Sequence, residues 1–110
     1  QQMGWGIAQR YLLTADFWYP DEALRTGLVQ EVVPVGQQLD KAREIAEQIA
    51  KAAPLGVQNV LKSTRLAWNE GEAVAAQALF PNLLPVMQSE DAVEGIRSFM
   101  ERREAVFKGR

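Results

Sequence analysis

A chain of 110 residues has room for one small domain, and on folding a chain of this size buries roughly two-thirds of the surface it exposes when unfolded. Hydrophobic residues at 47% and charged residues at 24% argue against a disordered class, and no apolar run reaches the roughly 18–20 residues of a membrane span. A net charge of -2 provides no broad positive field for a phosphate backbone, and the lack of both cysteine and histidine removes disulfides, thiolate chemistry, Ser-His-Asp catalysis and the commonest metal ligand.

The expected partners therefore include neither nucleic acid nor membrane. A cysteine-free chain fits a reducing, cytoplasmic setting, and no basic leader followed by a hydrophobic stretch is found at the start. Gln1-Gln2-Met3-Gly4 runs straight into an apolar periodic segment, and the expectation is a cut chain.

From Gly6 to Thr14, Ile7, Ala8, Tyr11 and Leu12 recur at helical spacing. Asp16 to Tyr19 reads as an aromatic connector. Pro20 then opens a short helix with Asp21 and Glu22 at the positive end of its dipole, and Gly27 ends it. Leu28 to Val33 holds three valines between Gly27 and Pro34, the one strand signal in the chain. With no partner in sight, that segment either pairs outside this sequence or stays extended and solvated.

Over Gln38 to Ala53, Leu39, Ala42, Ile45, Ala46, Ile49 and Ala53 trace one stripe opposite Lys41, Arg43, Glu44, Glu47 and Lys51. Pro54 stops this helix and begins the next, which carries Leu55, Val57, Val60, Leu61, Thr64 and Trp68 to Asn69. Gly71 breaks the chain again. Glu72 to Phe80 is an alanine-rich helix, and Pro81 and Pro85 predict a kink or break near Asn82 to Val86. Ser89 caps a last helix with Glu90 and Asp91 in its first turn and an inward stripe of Ala92, Val93, Ile96, Phe99, Met100 and Arg103. The basic tail after Glu104 is expected to fray. No period of 20 to 50 residues repeats, which argues against a solenoid.

Three blocks carry a resemblance. The first is Tyr11-Leu12-Leu13-Thr14-Ala15-Asp16, then Glu22-Ala23-Leu24-Arg25-Thr26-Gly27-Leu28-Val29 and Val32-Val33-Pro34. The second is Ala46-Glu47-Gln48-Ile49-Ala50 with Ala53-Pro54 and Lys62. The third is Ser89-Glu90-Asp91-Ala92-Val93-Glu94-Gly95-Ile96, then Phe99-Met100-Glu101-Arg102-Arg103 and Phe107-Lys108-Gly109. In this order and spacing, from about Gly4 to Gly109, they resemble the C-terminal part of the crotonase superfamily, the enoyl-CoA hydratases and isomerases. The chain departs from the family's pattern at Ala15, where glycine usually stands, and near Pro81 to Gln88, where the connection to the last helix looks longer.

The resemblance implies a mainly α fold, the C-terminal helical trimerisation region of a crotonase, with five or six helices and one short extended segment, in which residues 1–110 form a single region. It implies that the N-terminal catalytic spiral, with its oxyanion-binding backbone N–H groups and paired glutamates, is absent, so that no catalytic residue lies here and the fragment alone is inactive. It implies an acyl-CoA thioester as substrate of the parent enzyme, most commonly a 2-enoyl-CoA that is hydrated, with no covalently bound cofactor and no metal. It further implies a homo-oligomer, a trimer or hexamer. Phe80 aligns with an aromatic near bound coenzyme A (CoA). Arg102 aligns with a basic residue that reaches the CoA nucleotide of an adjacent subunit, and the doublet Arg102-Arg103 leaves that register open by one position.

Plainer readings stand beside these. Glu94-Gly95 reads better as a packing glycine next to a solvated glutamate than as a catalytic carboxylate, since glycine in a helix costs about 1 kcal/mol and needs a reason. Asp21 and Glu22 read as dipole partners. The excess of basic residues from Arg97 to Arg110 could be a solvated helix end, and Trp5, Trp18 and Trp68 read as core or interface indoles. The rival to the whole reading is a stand-alone helical interaction module that docks a partner along Ile45 and Ile49.

Overall fold

The computed structural model describes residues 3–110, and six helices make up its regular structure. They are α1 (Trp5–Thr14), α2 (Pro20–Arg25), α3 (Gln38–Ala50), α4 (Pro54–Glu70), α5 (Glu72–Met87) and α6 (Glu90–Glu101). The chain divides into two compact units, residues 1–43 and 44–110, with the division inside α3.

In the first unit, α1 ends at Ala15, whose φ of 55° is left-handed and whose N–H bonds to the Tyr11 carbonyl. That conformation costs a side-chain-bearing residue and suits glycine, which accounts for the glycine usual at this position. The Tyr11 ring lies 4.2 Å from that of Trp18, and its hydroxyl donates to Glu22 Oε1 at 3.0 Å. Tyr11 and Ala23 are the buried apolar side chains among the described residues. Pro20 begins α2 and Asp21 and Glu22 occupy its first turn, as the sequence predicts.

The valine-rich segment is unpaired, one of the two outcomes expected of it. Leu28 and Val29 turn their N–H groups back onto the Ala23 carbonyl, and no residue from 30 to 34 enters a ladder among the described residues. A strand is stable only when paired, and the described residues form no ladder with it. Lys41 reaches Glu31 in this segment at 3.4 Å.

In the second unit, α4 and α5 pack against each other as a helical hairpin around Gly71. Gly71 caps both helices at φ 94° and ψ 163°, a conformation open in practice to glycine alone. Of the kink or break expected near Asn82 to Val86, the break does not occur: α5 runs through Pro81 and Pro85 to Met87. Each proline removes one intrahelical bond, those to the Gln77 and Pro81 carbonyls, and the spacing of four confines both losses to one side of the helix. Packing on α4 supports this stretch, with Lys62 Nζ donating to Asn82 Oδ1 at 2.8 Å.

Ser89 caps α6 by accepting from the Ala92 N–H at 3.1 Å, as expected. The orientation of α6 is the reverse of the expected one. Val93, Ile96, Phe99 and Met100 are 65%, 66%, 86% and 76% exposed, whereas Asp91 and Ser98 on the other side are buried. The stripes of α3 and α4 are likewise open, at Leu39, Ile45, Ile49, Val60 and Leu61. No helix of the described residues is long and apolar enough to cross a membrane.

Candidate functional site

The polar side of α6 is covered by the chain's own tail. Asp91 is 3% exposed, and its two oxygens accept from the Lys108 and Gly109 N–H groups, each at 2.7 Å. The Asp91 N–H in turn donates to the Arg110 carbonyl at 3.1 Å. One turn on, Glu94 Oε1 accepts from the Val106 N–H at 2.9 Å, and Arg103 grips the same carboxylate through two nitrogens, Nη2 to Oε2 at 2.9 Å. Asp91 and Glu94, three residues apart, share one helical face, and together they hold residues 106–110 against it. The tail therefore does not fray. An unpaired segment of this length would be mobile, but five main-chain groups of the helix start and tail are satisfied across this face or by its carboxylates.

Gly95 faces the Phe107 ring, which a Cβ there would meet at 3.8 Å, an ordinary van der Waals distance, so the close approach expected of a packing glycine is not found. Glu94 beside it is not merely solvated. The Arg103 guanidinium, with the Val106 N–H adding to it, holds its carboxyl at about 2. Arg103 is raised further above its ordinary value, first by Glu94 and then by Glu101.

The basic segment separates into committed and uncommitted cations. Arg97 pairs with Glu101 at 2.8 Å, Arg103 with Glu94 and with Glu101 at 2.6 Å, and Arg110 with Glu90 at 3.1 Å. Arg102 and Lys108 make no side-chain hydrogen bond or ion pair with the described residues. Lys108 lies with Arg97, Arg103, Glu90 and Glu94 along an open groove of about 430 Å³. Arg102 stands exposed at the C-terminus of α6 in a left-handed conformation, φ 51° and ψ 43°, with its N–H bonded to the Phe99 carbonyl at 3.3 Å.

Phe80 is exposed on α5 and forms no cation–π contact with Arg102 or Arg103. The three residues singled out by the sequence thus have different surroundings: Arg103 is bound within its own element, while Phe80 and Arg102 face solvent. Sequence reasoning overlooked Asp91 and Glu94 as holders of the tail. The signal was the Asp-x-x-Glu-Gly spacing, which places two carboxylates on one face with a gap beside them.

A second carboxylate in the first unit is held in a similar way. Glu22 receives Arg25 through Nε at 2.8 Å and Nη2 at 2.6 Å, besides the Tyr11 hydroxyl, and these partners, Arg25 foremost, hold its carboxyl at about 2. Burial first, and Glu22 second, push the Tyr11 hydroxyl up. Glu22 therefore does more than complement a dipole, while Asp21 stands in the first turn of α2 as expected, but a carboxylate as acidic as Glu22 is a poor proton carrier near neutral pH. No group of three or more acidic side chains among the described residues is arranged to hold a metal ion.

The enoyl-CoA hydratase/isomerase family model matches residues 1–110. Carnitinyl-CoA dehydratase of Salmonella paratyphi A is 33% identical over 108 residues, covering 94% of this chain and 41% of that protein. Among solved structures, a probable enoyl-CoA hydratase/isomerase from Mycobacterium abscessus superposes with a TM-score of 0.93 at 49% identity, over 99% of this chain and 42% of the other. Enoyl-CoA hydratase from Mycobacterium tuberculosis H37Rv superposes at 0.89 with 29% identity, over 99% and 43%. The chain belongs to the enoyl-CoA hydratase/isomerase family, and its fold is that of the C-terminal helical region of a crotonase. It spans about two-fifths of the length of the relatives it matches.

Proposed function

We propose that this chain is the oligomerising, CoA-site-completing part of an enzyme that adds or removes water beside the thioester of an acyl-CoA. Hydration of a 2-enoyl-CoA is the leading reaction. The observation that carries this reading is the exposure of Val93, Ile96, Phe99 and Met100 on one side of α6 while the opposite side is fully engaged by the tail. Apolar stripes of this kind are unfavourable in water and mark surfaces meant to be covered. In a homo-oligomer, trimer or hexamer, a second copy covers them.

The names of the relatives support the reaction class, since a hydratase and a dehydratase of CoA thioesters run one equilibrium in opposite directions. Such chemistry develops negative charge on the thioester oxygen and needs backbone donors there, with a carboxylate to move a proton. The two carboxylates held near 2 here, Glu22 and Glu94, suit structural ion pairs. In this reading the catalytic groups come from the part of the relatives that this chain does not span. Arg102, unpaired and exposed, offers a cation to the phosphates of the CoA nucleotide, and Phe80 offers a ring face to its adenine.

Two measurements test this. Light scattering across a dilution series should show self-association of the purified chain, and a compact monomer at every concentration would instead favour the stand-alone module. Loss of crotonyl-CoA absorbance should not occur with the chain alone, and robust turnover would contradict the assignment of the catalytic groups elsewhere.

A further inference from the structure

The left-handed turn at Arg102 leaves one guanidinium unpaired in a segment crowded with carboxylates, and the surrounding ion pairs account for that. Two carboxylates belong to the C-terminal half of α6, Glu101 directly before Arg102 and Glu94 two turns further back. Both are already taken. Arg103 closes on Glu94 with two nitrogens and on Glu101 with Nε, and Arg97 also holds Glu101. The same residue fixes the backbone beyond the turn, as Arg103 N–H donates to the Ser98 carbonyl at 3.1 Å and Arg103 Nη1 to the Glu104 carbonyl at 3.0 Å. A left-handed conformation is disfavoured for a residue with a Cβ, so these bonds on both sides of Arg102 determine where its side chain projects.

We propose that Glu94 and Arg103 are positioning residues for Arg102: their ion pair neutralises the competing carboxylate and fixes the left-handed turn that presents the Arg102 guanidinium to the phosphates of a CoA nucleotide. Arg103 is then no phosphate ligand itself. The proposal rests on the reading of Arg102 given under the proposed function, and it assigns Glu94 a role in affinity for the nucleotide half of the substrate only.

The test uses the assembled enzyme that contains this chain and two substrates, a 2-enoyl-CoA and the matching 2-enoyl-pantetheine thioester, which has the same reacting group and no nucleotide. The readout is the ratio of the two KM values. Arg102→Gln should raise KM for the CoA thioester about tenfold, the equivalent of one hydrogen bond between charged groups near a surface, with KM for the pantetheine thioester unchanged. Glu94→Gln should do the same to a lesser degree, about fivefold, and the double variant should be no worse than Arg102→Gln alone, because both changes act on one contact. Arg103→Lys, which keeps the charge and loses the fork geometry, should fall between Glu94→Gln and the unaltered enzyme.

If Glu94→Gln raises both KM values equally, its role is structural and the proposal is overturned, and multiplication of the two effects in the double variant overturns it as well. Should Arg102→Gln leave the ratio unchanged, the reading of Arg102 itself fails. A silent Glu94→Gln beside an impaired Arg102→Gln removes the positioning role alone. Turnover of the pantetheine thioester reports in every case that the variant is folded.

Discussion

Two glutamates, one in each unit, are held in nearly the same chemical state by different architectures. Glu22 takes Arg25 from its own helix, three residues on, and a hydroxyl from Tyr11 on the preceding helix. Glu94 takes Arg103 and the Val106 N–H from a segment that folds back after its helix has ended. Both carboxyls sit at about 2. The first arrangement is supported by an aromatic pair, the buried Tyr11 ring against the half-buried Trp18, and would keep part of its geometry without the charge. The second has only the half-buried Phe107 ring beside Gly95 as apolar packing on its own side of α6, because the large apolar residues of that helix, Val93, Ile96, Phe99 and Met100, face outward. Ionic contacts therefore hold a polar seam where apolar packing is scarce, and they leave the apolar stripe free for other surfaces.

The change that would most disturb this comparison is the loss of Asp91. Asp91→Ala leaves the Lys108 and Gly109 N–H groups without acceptors, and the expected cost is about 3 kcal/mol. Urea denaturation checks the magnitude, and hydrogen exchange should accelerate at residues 106–110 while the Tyr11 region remains protected.

Acid sharpens the contrast between the two carboxylates. Both have folded values near 2 against 4.5 for a free glutamate. Each therefore favours the folded state fully above about pH 4.5, and that contribution is lost as pH falls toward 2. The expected outcome is a Tm that falls with pH across this window. Glu94→Gln should flatten the fall, and its effect should be greater on exchange at Val106 than on Tyr11 fluorescence.

A smaller effect of opposite sign is expected at the end of α1. Ala15 adopts φ 55°, and Ala15→Gly should raise stability by about 1 kcal/mol, because glycine adopts the left-handed region without strain. A higher denaturation midpoint with an unchanged slope would confirm it. The least effect on the fold belongs to the outer face of α6. Ile96→Ser should change stability by less than about 0.5 kcal/mol yet weaken self-association in light scattering, in contrast to Asp91→Ala on the opposite face.

Much of this architecture was legible in the residues. The prolines at 20 and 54, Ser89 and Gly71 mark helix boundaries within one or two residues of those observed, because caps and breakers act through local backbone chemistry. The family blocks were legible for the same reason, as ordered local patterns. Other outcomes were decided by non-local contacts. Pro81 and Pro85 did not end α5, since packing against α4 compensates for lost backbone bonds. Leu28 to Val33 stayed unpaired, one of the two outcomes expected of a strand-like segment with no partner, since a ladder requires a neighbour. The tail did not fray, since Asp91 and Glu94 bind it from 12 to 18 residues away.

Of the residues expected to meet CoA, the sequence could name Phe80 and the arginine doublet but could not separate Arg102 from Arg103. Their chemistry is identical, and they differ only in what folds back against them: Arg103 meets two carboxylates and Arg102 meets none. Helix number, helix ends and family membership followed from the sequence alone, because they depend on propensities and patterns within a few residues. The outward orientation of α6, the latched tail and the division of the basic segment into bound and unbound cations emerged only in the tertiary structure. They depend on which side of an amphipathic helix finds a partner, and residues distant along the chain decide that.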